Sequence, residues 1–245
     1  MNTSASTIDR TSIAIRVARL DWQAIELALD ERGHATTPPL LAPAECTALA
    51  RLFRDDRRFR SRIDMARYRF GVGEYKYFAE PLPPIVAALR THLYRRLAPI
   101  ATRWAEALGA AERYPADLPG YLARCAAAGQ VRPTPLLLHY GAGGYNCLHQ
   151  DVYGALMFPL QFTCVLSRVG EDYTGGEILL VEQRPRAQSR GQVVVLERGA
   201  AVIFPSRHRP VAGGRGHYRA TVRHGVSRLH SGERLSLGII FHNAE

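Results

Sequence analysis

The spacing of apolar and polar positions divides this chain in two. In the first half apolar residues recur every three or four positions, which places them on one face of a helix. Ile13 to Leu29 has this period and runs to Gly33, a residue suited to closing a helix. Pro43 stands where a helix can begin, with Glu45 in its first turn, and the period continues towards Phe59. Pro84 to Leu108 and Leu118 to Ala128 complete the helical set, and Pro38 to Pro43 reads as a linker. One stretch of this half is different. Residues 66–79, ARYRFGVGEYKYFA, alternate aromatic and charged side chains around Gly71-Val72-Gly73, which predicts a β-hairpin.

From Thr134 the character changes to short apolar runs separated by turn residues. They cover Pro135 to Tyr140, Phe158 to Ser167, Glu177 to Val181, Gln192 to Leu196, Ala200 to Phe204, Tyr218 to His224 and Leu235 to Phe241. Regularly spaced short strands predict a jelly roll or barrel. The expected class is α+β. A helical region, 1–133, packs on a β core, 134–245, because a sheet face needs covering, and the two form one integrated domain.

Composition refines this picture. With 245 residues and 47% hydrophobic side chains the chain can bury a real core. No apolar run reaches the roughly 20 residues needed to span a bilayer. Met1 to Arg10 is polar and lacks a signal-peptide core, so a cytoplasmic location and no membrane partner are expected. Four cysteines, Cys46, Cys125, Cys147 and Cys164, form no CxxC pair. The net charge of +10 invites a polyanion such as nucleic acid. Lys76 is the single lysine among 32 basic residues, and an arginine bias of that kind also follows from genomic base composition.

The chemistry concentrates at His149-Gln150-Asp151. In a strand, residues two apart share a face, so an imidazole and a carboxylate converge on one point. A second histidine from a distant strand would complete two histidines and one carboxylate, which hold iron(II) while leaving positions open for a co-substrate and O2. The absence of thiolate ligands disfavours structural zinc. His208, His217, His224 and His230 compete for the distal position. His224 is preferred: it ends a strand-like run, lies 73 residues beyond Asp151, and precedes Arg234 by ten. Arg234 heads the next apolar strand and can pair bidentately with a carboxylate, and Ser236 shares its face. His208 and His217 read as loop residues near the mouth of the site, His230 as a turn residue, and His139 as a satisfied strand histidine; His242 receives no role.

The run Tyr140-Gly-Ala-Gly-Gly-Tyr-Asn-Cys-Leu-His149-Gln-Asp151 resembles the prolyl-4-hydroxylase-like branch of the iron(II)- and 2-oxoglutarate-dependent dioxygenases. The resemblance continues through Gly175-Gly176-Glu177, residues 199–204, His224 and Gly232-Glu-Arg234, and covers roughly 134–242. It implies a double-stranded β-helix, a distorted jelly roll, with the helices on one side. It also implies that Arg234 anchors the 2-oxoglutarate carboxylate and that Tyr140 hydrogen-bonds the same molecule. The implied reaction yields succinate and CO2 and hydroxylates a substrate C–H bond. More closely, the chain is similar to bacterial proteins described as oxygenases acting on alkylated DNA. It differs from AlkB-type demethylases in carrying Leu138 where they tend to have asparagine, and in placing Arg234 at the prolyl-hydroxylase spacing.

Two substrate classes follow. Demethylation of an alkylated base requires a basic track and a stacking face, which Arg67, Tyr68, Arg69, Phe70, Tyr75 and Tyr77 of the hairpin and Arg207 and Arg209 of the expected loop 206–219 could supply. An amphipathic hairpin with its aromatics towards the core shows the same alternation. Hydroxylation of a peptide side chain is the alternative, with the hairpin closing over an extended peptide. A third reading is a β-barrel binding module without turnover, against which the intact HxD, distal histidine and arginine argue.

Overall fold

The computed structural model describes residues 13–245. The polar N-terminal decapeptide and the start of the expected 1–133 region lie outside those residues. Residues 13–18 are helical, but the helix expected from Ile13 to Leu29 is broken at Asp21. The Asp21 carboxylate accepts the Ala24 amide at 3.0 Å and caps a new helix, α1 (Trp22–Arg32). An aspartate that captures a nearby amide competes with continuation of the preceding helix. Gly33, at φ 79°, closes α1 and donates its N–H to Leu29. Helix α2 (Pro43–Leu52) ends well before Phe59, which opens a strand instead. Helices α3 (Pro84–Ala107) and α4 (Leu118–Ala127) follow the expected bounds closely. No helix of the described residues is long and apolar enough to cross a membrane.

The strands are β1 (Ala35–Thr37), β2 (Phe59–Asp64), β3 (Gly71–Val72), β4 (Glu74–Phe78), β5 (Leu136–Tyr140), β6 (Tyr145–His149), β7 (Leu160–Val165), β8 (Tyr173–Gly175), β9 (Ile178–Gln183), β10 (Arg190–Val194), β11 (Ala201–Pro205), β12 (His208–Gly213), β13 (Gly216–Val226), β14 (Leu229–Gly232) and β15 (Arg234–Ile240). One sheet has the order β1-β11-β7-β15-β5-β4-β2. A second has the order β10-β9-β13-β6-β3, with β12 also paired to β13, and β14 pairs with β8 separately. These pairings are all antiparallel.

The expected 66–79 hairpin is a correction. Residues 66–68 form a 3-10 turn, β3 joins β6 of the second sheet, and β4 pairs with β2 of the first. The antiparallel partner of 74–78 is thus 59–64, which the helix expected to run to Phe59 had obscured. The glycines explain the divergence. A side chain at Gly71 would meet the Tyr145 carbonyl, and one at Gly73 the Tyr140 ring, so the chain passes closely between the sheets.

Alternation along the central strands sets the two faces of the first sheet. On β15, Leu237 and Ile239 pack into the main core beneath α3 and α4, while Arg234, Ser236, Gly238 and Ile240 face a cavity. On β7, Phe162 and Cys164 take the core side, and Gln161 and Thr163 the cavity side. Both faces are covered, so these strands read as near-continuous apolar runs.

Two buried polar groups tie the layers together. Arg209, expected at the mouth of the site, is instead fully buried on β12. Its guanidinium donates to Glu182 and to the Asp30 and Glu31 carbonyls at the C-terminal turn of α1. A basic group there satisfies carbonyls that the helix leaves unpaired. Arg209→Met leaves a buried carboxylate short of its partner and is expected to cost about 3 kcal/mol. A lower urea midpoint at unchanged m-value would show it, and an unchanged midpoint would refute it.

His242 is also fully buried. The Phe158 amide donates to its Nδ1 at 3.2 Å, which leaves the proton on Nε2. Burial pushes the imidazole down to about 4. As pH falls below about 6.5 the unfolded histidine takes up a proton that the folded one refuses. Stability therefore falls from pH 6.5 towards 4, by up to about 3 kcal/mol for this group. His242→Gln should flatten that slope in denaturant titrations between pH 7 and 5; parallel profiles would refute it.

Candidate metal centre and its cavity

His149 is the last residue of β6, and in the register of the second sheet it lies directly opposite His224 of β13. The two rings are 4.2 Å apart. Asp151 lies beyond the strand end, in a loop rather than on the same strand as His149. Gln150 anchors that loop by donating to the Arg207 and Val222 carbonyls. The Asp151 carboxylate so reaches back to 3.2 Å from His224 Nε2 and 3.6 Å from His149 Nε2. One ligand atom from each residue lies within 4.8 Å of the others. Just past this pair the β13–β6 register shifts at Gly225, where a side chain would meet the Asn146 carbonyl.

The surroundings prepare the three groups for a metal. His149 Nδ1 is 2.8 Å from the Cys147 carbonyl, an arrangement that keeps the proton on Nδ1 and turns the Nε2 lone pair inward. Burial, and then the neighbouring His224, lower the pKa of His149. For Asp151 burial opposes ionisation, but the His224 and His149 rings and the Tyr153 hydroxyl outweigh it and hold the carboxyl well below its ordinary range. Tyr153 donates to Asp151 at 2.7 Å, and Tyr77 donates to Tyr153 at 3.0 Å. Two imidazole nitrogens and one ionised carboxylate, with no thiolate among them, are a donor set suited to iron(II).

A cavity of about 360 Å³ opens from this cluster between the two sheets. At one end sits Arg234, 1% exposed. It donates to Ser236 at 3.2 Å, its Nε has no partner, and among the described residues no carboxylate pairs with it. A buried cation lacking a counter-charge is costly, so the position calls for an anionic ligand. Tyr140 and Tyr173 lie with their rings 5.8 and 5.9 Å from the guanidinium. The Tyr140 hydroxyl is buried and accepts from Asn146 at 3.3 Å, and burial raises its pKa.

The residues expected to meet substrate divide. Arg69, Tyr75 and Tyr77 line the cavity. Arg67 and Tyr68 lie outside its wall on the exposed 66–68 turn, where Tyr68 stacks on Phe70 at 5.6 Å. Tyr68 and Phe70 are 48% and 46% exposed. Arg207 is exposed and meets the site only through its carbonyl; Arg209 is excluded by its burial. Among the other histidines, His208 and His217 lie on paired strands rather than in a loop, His230 is an exposed residue of β14, and His139 lies 3.6 Å from Glu233. Sequence reasoning passed over Tyr153 and Gln161. Tyr153 stands two residues beyond Asp151, and Gln161 interrupts an apolar strand, so both carried a signal.

A family described as "Oxygenase, catalysing oxidative methylation of damaged DNA" matches residues 73–244. Uncharacterized proteins from two strains of Mycobacterium tuberculosis are each 50% identical over 167 residues, 68% of this chain and 72% of theirs. Among solved structures, a Pseudomonas putida prolyl-4-hydroxylase is similar with a TM-score of 0.52 and 15% identity, over 91% of this chain and 99% of that one. A 2OG-Fe(II) oxygenase family oxidoreductase from Burkholderia pseudomallei gives 0.51 and 14%, over 91% of both chains. A prolyl hydroxylase from Trichoplax adhaerens, in complex with a hypoxia inducible factor peptide fragment, gives 0.52 and 12%, over 99% and 94%. At these identities the structural likeness is one of fold.

Proposed function

This chain belongs to the Oxygenase-NA family, and from that premise we propose that it is a 2-oxoglutarate- and iron(II)-dependent oxygenase that removes alkyl groups oxidatively from bases in single-stranded nucleic acid. The antiparallel sheets enclosing one cavity support a double-stranded β-helix. Strands β1 to β4 enter both sheets, which supports one integrated domain rather than a separate N-terminal unit.

His149, Asp151 and His224 would hold the iron. Arg234 and Ser236 would take the distal carboxylate of 2-oxoglutarate, with Tyr140 beside it. Iron, when bound, supplies activation of O2, so that 2-oxoglutarate leaves as succinate and CO2 and one oxygen enters a substrate C–H bond. The protein orients these parts and excludes water: Leu136, Leu138 and Ile240 wall the cavity, and the Tyr77–Tyr153 pair steadies the carboxylate ligand. Hydroxylation of an N-methyl group gives a hemiaminal; its C–N bond then breaks, formaldehyde departs, and the base nitrogen takes the proton.

The observation that carries the nucleic-acid reading is the surface beside the cavity. The exposed, stacked Tyr68 and Phe70 alternate along the chain with Arg67 and Arg69, and Arg69 and Phe70 reach the cavity wall. Aromatic faces interleaved with arginines suit unpaired bases and their phosphates.

The test is incubation with iron(II), 2-oxoglutarate, O2 and N-methylated single-stranded oligonucleotides. Formaldehyde and succinate should appear together. Oligonucleotide binding should weaken with salt and fall roughly tenfold in Tyr68→Ala. A gain of one oxygen on a protein from cell extract, with no formaldehyde from any oligonucleotide, would favour the peptide hydroxylase and sink this reading.

A further inference from the structure

The end of the cavity opposite Arg234 has its own chemistry. Arg234, Ser236, Gly238 and Ile240 follow one another along one face of β15, so Ile240 lies about 20 Å from Arg234 along the strand. Gln161 pairs with Ile240 in the register of the sheet. It is 3% exposed and lines the cavity, and its side-chain Nε2 makes no hydrogen bond. An unmet buried donor is expensive, and a ligand acceptor would satisfy it. On the adjacent strand, Phe204 is the pairing partner of Gln161 and its ring lies 4.8 Å from His224, so this end borders the metal ligands. Tyr75, Tyr77 and Leu136 also line the cavity, from the strands on the far side of β15.

Charge decides which planar ligand fits. Among the described residues lining the cavity the single carboxylate is Asp151, a proposed metal ligand, whereas Arg69 and Arg234 are both cations. A dianionic co-substrate balances a divalent metal, so no negative charge is left over for the substrate. Tyrosine faces could offset a buried cation by about 2 kcal/mol when desolvated. The Tyr77 face, however, already carries the Arg60 guanidinium at 4.6 Å, which adds a further positive charge nearby. Leaving a cation without a counter-charge costs several kcal/mol, more than stacking returns.

Resting on the nucleic-acid reading above, we infer that this recess selects an uncharged N-methyl lactam base. Its ring carbonyl, adjacent to the methylated nitrogen, accepts from Gln161 Nε2. N3-methylthymine and N1-methylguanine have this form. N1-methyladenine and N3-methylcytosine instead carry a positive charge, and N1-methyladenine also lacks a ring carbonyl.

The test measures binding by fluorescence anisotropy, without oxygen, on protein loaded with iron(II) and 2-oxoglutarate. Each probe is a single-stranded oligonucleotide with one of the four bases. Formaldehyde release in air is the second readout. The wild type should favour both lactams over both cations by roughly tenfold or more. Gln161→Leu should lose most of that preference. Gln161→Glu, nearly isosteric, should reverse it by supplying the missing carboxylate. Should the leucine variant fail to fold, the wild-type ranking and the glutamate variant decide the matter. A wild-type preference for the cationic bases, or an unchanged ranking in Gln161→Glu, overturns the inference and leaves the nucleic-acid reading standing. If no methylated oligonucleotide binds or releases formaldehyde, that reading falls and this one with it.

Discussion

Asp151→Ala is expected to reduce iron-dependent succinate formation to background, at least a thousandfold, while the protein remains folded. The carboxylate is the one anionic member of the cluster and touches both imidazoles, at 3.2 and 3.6 Å. Without it two neutral rings face a divalent cation with no compensating charge, and nothing fixes the ion on the cavity side. His149→Ala should fail in the same assay. The neighbouring hydroxyl provides a graded control. Tyr153→Phe keeps the ring and removes only the 2.7 Å hydrogen bond to Asp151. Loss of such an orienting partner typically costs 10- to 100-fold in metal affinity or activity. Anaerobic iron titration alongside succinate assays separates the variants. Retention of more than a tenth of wild-type turnover in Asp151→Ala would remove Asp151 from the ligand set.

Arg234→Met should move affinity and stability in opposite directions. Removing one partner of a buried charge-assisted pair costs about 2–5 kcal/mol, so the KM for 2-oxoglutarate should rise by about a hundredfold or more. In the protein without co-substrate the same change removes a 1% exposed cation that has no carboxylate partner among the described residues. Replacing buried charge with apolar volume is often neutral or stabilising. The unliganded variant should thus melt at or above the wild-type temperature, and added 2-oxoglutarate should raise the wild-type melting temperature alone. A variant that is less stable and still stabilised by 2-oxoglutarate would assign the anchor to another residue.

The metal cluster was legible because its information is local. HxD spacing, a histidine in a strand-like run and an arginine ten residues later survive any uncertainty about the turns between them. The strand assignment of Asp151 failed for a reason absent from the spacing: Gln150 ties the loop to two distant carbonyls and bends the chain back. The 66–79 stretch misled because alternation records which side chains are buried, not which strand pairs with which. Its neighbours belong to two different sheets. Arg209 looked like a mouth residue because it sits among glycines and arginines. Its burial depends on Glu182 and on α1 carbonyls more than 170 positions earlier, which no local pattern encodes.

Strand β15 works as a ruler. The residues assigned to the co-substrate and those facing the substrate recess occupy alternate positions of one strand, and the intervening residues are the floor of the helical core. The separation between anchor and recess is thus counted in peptide units rather than held by loops. Substitutions at Gln161, Gly238 or Ile240 can change what is recognised without moving Arg234, the proposed co-substrate anchor. A one-residue insertion between Ser236 and Leu237 has the opposite character. It would turn Leu237 and Ile239 into the cavity and the recess residues into the core, so the strand tolerates retuning but not rephasing.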